Sequence, residues 1–287
     1  MSSLTTLQRF SLGTVKLNRR TATVVLTVVL AFALLTVLFL GWSITDQQVG
    51  PDFSRKSLPP SWQYPFGTDW LGRNMLLRTI KGLSLSISVG ALAAAVSAVI
   101  ATIMGILAAT GGKAVDKAIL WLIDLVMGVP HIVLLILISF ALGGGVKGMV
   151  VGIAATHWPS LARVVRAEAL QVRGEPYIQV SRHLGHGRFW ILFHHILPHA
   201  LPQFMVGIIL LFPHAILHEA ALSFLGFGFP PEQPAIGIIL ADSMKYLVGG
   251  MWWLAVFPGV SLLLVVLAFD KLGDNLRTMV DPSTAQN

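Results

Sequence analysis

The sequence predicts an all-α integral membrane protein that crosses the bilayer six times, and three observations lead there. Of 287 residues, 55% are hydrophobic and only 11% charged, against about 25% charged in an ordinary soluble domain. Mean hydropathy is +0.76. Several charge-free runs are long enough, at about 1.5 Å per residue, to cover about 30 Å of hydrocarbon. Inside lipid each backbone N–H and C=O must find a partner, which a helix supplies from its own segment. A water-soluble enzyme is excluded by the same arithmetic, because so few charges cannot coat so much apolar side chain. Formal net charge +7 and pI ≈ 10.1 are read as orientation toward the cytoplasm and its anionic lipids, with no nucleic-acid partner. Cysteine is absent, which removes disulfides, thiolate metal sites and thiol catalysis.

The elements follow in order. Residues 1–20 read as a cytoplasmic amino-terminal segment, and 21–42 as the first span, since no charge lies between Arg20 and Asp46. That run exceeds the about 7–15 apolar residues of a signal-peptide core, so it is expected to be retained. Residues 43–82 form a long external loop, rich in turn formers (Pro51, Pro59, Pro60, Pro65) and closing in a segment, 70–81, expected as a short helix at the membrane surface. A core over 83–272 holds the remaining spans at 83–112, 125–146 (interrupted by Pro130), 149–162, 189–218 and 246–269, with a cytoplasmic loop at 163–198 and a cytoplasmic tail at 273–287. With the amino terminus inside, 13 Lys and Arg fall in the cytoplasm and 7 outside, five of the seven in the one long loop. That bias puts both termini in the cytoplasm.

No chemistry of its own is written in the chain. There is no G-x-x-x-x-G-K-[ST] phosphate loop, no G-x-S-x-G elbow and no H-E-x-x-H helix, so the protein is expected to be no enzyme and to bind no cofactor. Four classes remain: a passive pathway, a pathway driven by another subunit, an ion-coupled secondary carrier, or a membrane scaffold. The carrier needs intramembrane carboxylates and an inverted repeat; Asp124 and Glu219 are the candidates, and no repeat is evident.

The cytoplasmic loop decides. Gln179, Val180 and Ser181 precede Gly185 by the spacing of E-A-A-x-x-x-G, and after nine intervening residues comes His195-Ile196-Leu197-Pro198. This resembles the coupling motif of ABC importer permeases, E-A-A-x-x-x-G followed by I-x-L-P, with Gln179 in the glutamate position and His195 in the isoleucine position. A helix that breaks at glycine and resumes before Pro198 makes a compact knob. Gly67-Thr68-Asp69-Trp70-Leu71-Gly72-Arg73-Asn74 is similar to the G-T-D-x-x-G-R-D stretch of dipeptide, oligopeptide and nickel importers, with Asn74 where that family has aspartate. Glu219 to Gly228, Pro230-Pro231, Phe257-Pro258-Gly259 and Asp281-Pro282 resemble the family's second-permease type, with Asp270 where asparagine is usual. The resemblance covers about residues 65–282, in family order.

The resemblance implies a coupling helix between spans four and five, and a complex in a bacterial or archaeal plasma membrane. A homologous second permease would stand beside this chain, two ATPase subunits holding ATP and Mg below, and an extracytoplasmic binding protein above. Gln179, Val180, Ser181, Gly185, Leu197 and Pro198 would receive the motion of the ATPase. Gly67, Thr68, Asp69, Gly72 and Arg73 would brace the external loop, an Asp69–Arg73 ion pair at i, i+4 being favoured over docking of the binding protein. The cargo would be a dipeptide, an oligopeptide, or nickel and other metal in free or chelated form.

All nine histidines lie between His131 and His218. His214 and His218 are i, i+4 on one helical face, a spacing that lets two imidazoles reach one metal ion, and they are expected as transient pathway contacts. His131 is expected to line the pore or pack on a neighbour. His183, His186, His194, His195 and His199 are expected to face headgroups or the ATPase.

Overall fold

A computed structural model describes residues 19–280; the expected segment 1–18 and the end of the tail, 281–287, lie outside the described residues. Helix α1, Arg19–Ser43, carries an apolar stripe that stays exposed, with Phe32 and Phe39 each 71% accessible. Such a surface on a helix of this composition belongs against lipid. Only Leu34 and Gly41 are buried among its described residues, and α1 leans on α2 and α10.

Helix α2, Met75–Thr110, begins eight residues ahead of the expected span. The expected surface helix at 70–81 is not separate: 75–81 are the first two turns of α2. The reason is the cap. Asn74 Oδ1 accepts hydrogen bonds from the Leu76 and Leu77 amides at 3.0 and 3.4 Å, and asparagine caps as well as the aspartate it replaces. Along its length α2 buries Ala93, Ala94, Ser97, Ala98, Ala101 and Gly105. Small residues let helix backbones approach where lipid provides no hydrophobic drive to associate. A Cβ on Gly105 would sit 2.7 Å from the Ala162 carbonyl of α5.

The expected third span is broken. Helices α3, Lys113–Met127, and α4, His131–Ala141, meet at 93° across Gly128-Val129-Pro130, because proline cannot continue a ladder that needs its N–H. Helix α5, Gly145–Gly174, runs well past both ends of the expected 149–162. It packs most extensively on α2 and also on α4 and α8. Helix α6, Pro176–His183, is followed by α7, Arg188–Ile191, a π-helical turn, Leu192–Ile196, and α8, Leu197–Phe224. Helix α9, Ile236–Leu247, is short, and α10, Trp253–Val280, completes the described chain. The expected sixth span therefore starts at Trp253 rather than residue 246, and residues 273–280 continue a helix instead of opening a tail.

By length and composition, four helical runs among the described residues suffice to cross a bilayer: α1, α2, the α7–α8 run and α10. The bent α3–α4 pair makes five if it counts as one span. Helix α5 is long enough, but its arginines, glutamate and glycines leave it too polar to qualify. There is no β-strand among the described residues, only an isolated bridge between Thr68 and Asn74.

Candidate functional site

Three places gather the residues singled out by sequence. The first is the knob at the end of α5. Helix α6 ends in a Schellman turn: the His186 amide donates to the Ser181 carbonyl at 3.2 Å and the Gly185 amide to the Arg182 carbonyl at 3.0 Å. Gly185 sits at φ +88°, where a side chain would strain the backbone. The chain resumes at Arg188, not just ahead of Pro198, and Leu197-Pro198 start α8. Ile178 and Ser181 turn inward, and Ser181 Oγ pairs with His195 Nε2 at 3.0 Å. Thus the Ser181 and His195 positions of the motif hold the two limbs of the knob together. Gln179, Val180 and Leu184 are exposed, Leu184 at 73% and Phe189 of α7 at 79%. The His186, Trp190 and His194 rings stack at 3.7 and 4.4 Å.

Helix α5, which leads into the knob, is tied to α3 by ion pairs. Arg166 of α5 binds Asp116 of α3 through two hydrogen bonds of 2.6 and 2.7 Å. Arg163 reaches Asp124 at 2.6 Å, so Asp124 meets another helix. Fork-shaped pairing of guanidinium with carboxylate fixes geometry as well as charge.

The second place is a hub built around residues 67–78. Asp69 is fully buried. Its Oδ1 accepts from the Leu71 and Arg73 amides at 2.9 Å each, and its Oδ2 from Arg73 Nε at 2.6 Å and Arg78 Nη1 at 3.2 Å. Arg78 also reaches Asp242 of α9 at 3.5 Å. Thr68 Oγ1 donates to the Arg55 carbonyl at 2.6 Å and accepts from the Leu58 amide at 2.8 Å. Trp70 stacks on Tyr246 at 4.2 Å, and Phe66 on Phe257 at 4.7 Å. Gly67 and Gly72 hold the turn at φ +67° and +78°. The loop is thereby pinned to α2, α9 and α10. Nearby, the hydroxyl and amide of Ser54 hold the Asp52 carboxyl below the usual carboxylate range. The parts of this hub that sequence reasoning missed are Arg78 and Asp242. Arg78, inside an apolar helix start, was the available signal, since a buried guanidinium requires a partner.

The third place is a cleft of about 590 Å³ at the α3–α4 break, closed by α5 and α8. Pro130 and Pro159 line it, as do His131, His157, His214 and His218. The convergence differs from what α8 spacing alone suggested. His218 meets His131 of α4 and His157 of α5, with one ligating atom from each within 4.8 Å of the others, and His214 lies outside that triad. Ring centroids are 4.5 to 5.1 Å apart. His131 and His157 were missed as partners because they lie on different helices, brought together only by the bend. Glu219, next on α8, turns away into the protein, where it is fully buried and accepts from Ser223 Oγ at 2.9 Å.

A family model for the binding-protein-dependent transport system inner membrane component matches residues 101–286. The chain belongs to this family. Among similar proteins, a putative peptide transport system permease protein of Brucella suis biovar 1 (strain 1330) is 34% identical over 267 residues, covering 93% of this chain and 90% of the relative. The dipeptide transport system permease protein of Bacillus subtilis (strain 168) is 33% identical over 234 residues, 82% of this chain and 73% of the relative. An inward-facing structure of the MetNI methionine ABC transporter superposes with TM-score 0.56 at 19% identity, covering 72% of this chain and 98% of that one. At that identity the likeness concerns the fold. An amino acid ABC transporter gives TM-score 0.55 at 18% identity, covering 71% and 94%. The binding-protein-dependent permease is thus the membrane subunit of an ABC importer, and the ion-coupled carrier is set aside.

Proposed function

We propose that this permease forms half of a translocation pathway and takes its driving force at the knob of α6 and α7. Six crossings are α1, α2, the bent α3–α4 pair, α5, the α7–α8 run and α10, with both termini cytoplasmic. A homologous permease completes the pathway, two ATPase subunits bind ATP and Mg and sit under the knobs, and an extracytoplasmic binding protein delivers cargo. This chain itself holds no cofactor and performs no covalent chemistry. Opening alternates between the two sides as the ATPases close and part.

The observation that carries the reading is the build of the knob. Its inner residues are locked by the Ser181–His195 pair and the Gly185 turn, while Val180, Leu184, Phe189 and Phe193 present apolar surface outward. Rigid inside and apolar outside is what a lever needs to seat in a partner. Names of relatives favour dipeptides or oligopeptides as cargo, and the histidine cleft favours a metal complex of similar size.

The test is reconstitution. Cysteine at Leu184 should cross-link to the ATPase subunit, and uptake should require ATP on the knob side. Labelling of that cysteine from outside intact cells, or solute movement in vesicles lacking any ATPase, would sink the proposal.

A further inference from the structure

We propose that His131, His157 and His218 form a three-imidazole seat for a divalent transition-metal ion of the nickel, cobalt, zinc or copper class, carried through the cleft as a complex with an anionic organic ligand. This rests on the reading of the cleft as part of the pathway and names the cargo class it handles.

The ring arrangement comes first. His157 Nδ1 faces the Ile153 carbonyl at 2.9 Å, so it bears the proton and leaves the Nε2 lone pair free. A backbone carbonyl behind one ring nitrogen is the usual way a ligating histidine is oriented. His131 and His218 make no hydrogen bond among the described residues, so both rings are free to swing. The three ligating atoms lie within 4.8 Å of one another; around a tetrahedral ion with bonds of about 2.0–2.1 Å they would sit about 3.4 Å apart. Closing that gap takes only small rotations about side-chain bonds.

The donor set then selects the ion. Imidazole suits nickel, copper and zinc, whereas calcium and magnesium require oxygen ligands. No aspartate or glutamate lines the cleft. Three neutral donors therefore leave the double positive charge of the ion uncompensated in a low-dielectric surrounding, which is costly. The compensation must arrive with the ion, as carboxylates on its carrier. A cleft of about 590 Å³ has room for such a ligand beside the three rings. The absence of a resident counter-charge also keeps a bare ion from being trapped, which suits a site that must release what it binds.

The experiment uses the complete complex in lipid nanodiscs, purified through a tag without histidine. The probe is Co²⁺–iminodiacetate, a neutral complex with three open positions. X-ray absorption should count three imidazoles on cobalt, and the visible spectrum should report an affinity tighter than for Co²⁺ alone. Substituting His131→Gln, His157→Gln or His218→Gln should each weaken binding by at least about tenfold, while His199→Gln, on the cytoplasmic side, leaves it unchanged. The same variants should lose uptake of the cobalt complex in vesicles containing ATP and the binding protein. Equal binding in all variants, fewer than three imidazoles on cobalt, or undiminished uptake of the complex overturns the proposal. Loss of ATP-driven uptake of both the cobalt complex and a dipeptide by the unmodified complex would instead count against the permease pathway itself. Should His157→Gln fail to fold, His131→Gln and His218→Gln carry the decision, since neither of those rings holds a hydrogen bond that the fold would lose.

Discussion

Replacing Asp69 by alanine should be among the most damaging single changes in and around the 43–74 loop. Asp69 is fully buried and accepts four hydrogen bonds, two from backbone amides and two from the guanidinium groups of Arg73 and Arg78. Arg78 is only 3% exposed, and its other carboxylate, Asp242, stands at 3.5 Å. Removing the near partner leaves a buried cation poorly compensated, which costs about 3–5 kcal/mol. Most of that loss comes from the orphaned charge. The double substitution Asp69→Ala with Arg78→Met, which removes the cation too, should therefore recover a large part of it. Reversible unfolding in mixed detergent and SDS micelles gives both values. Proteolysis of the 43–74 loop should rise in the single variant and fall back in the double. A single variant within about 1 kcal/mol of the original protein, or a double variant with the two losses simply added, would refute the view of Asp69 as the anchor of the loop.

Four further outcomes are expected. Gly185→Leu places a side chain at φ +88°, costing about 1–2 kcal/mol locally; ATPase stimulation by cargo should fall while membrane insertion is kept, and normal stimulation would remove the turn from the coupling route. Asn74→Asp should leave stability within a few tenths of a kcal/mol, whereas Asn74→Ala should lose about 1 kcal/mol, read in the same micelle titration. Gly105→Leu should separate α2 from α5, because even a Cβ meets the Ala162 carbonyl at 2.7 Å; a thermal midpoint unchanged from the original would contradict the packing. The Asp52 carboxyl is held below its usual range by Ser54, so its contribution to the Phe53–Arg55 turn is present above the unfolded value and lost as pH falls through the folded one. Protection of the Ser54 amide, its exchange rate compared with the intrinsic rate at each pH, should fall on that acid side, and unchanged protection would deny the cap a role.

The membrane class, the identity of α1, α2, α8 and α10 as apolar spans, and the family were legible in the sequence because each depends on local quantities: run length, charge spacing and short motifs. The α6 break was legible for the same reason, since a glycine at that spacing supplies a left-handed turn from its own backbone. Local reading failed where a boundary depends on something distant. The start of α2 was set eight residues late because the apolar run begins at residue 83, whereas the helix begins at the Asn74 cap and tolerates Arg78 only through Asp69 and Asp242. Residues 246–252 read as membrane span, yet Tyr246 is spent stacking on Trp70 of the first loop.

What the sequence determined by itself is how much of the chain must be helical and apolar, and where the knob turns, because hydrocarbon length and backbone hydrogen bonding leave little choice. What only the tertiary structure decided is which polar groups share a site. Pro130 announces a break but not its 93° angle. That angle, with α5 and α8 packed across it, brings His131, His157 and His218 together from three helices. Convergence of side chains far apart in the chain follows from how surfaces pack, and no single segment carries that information.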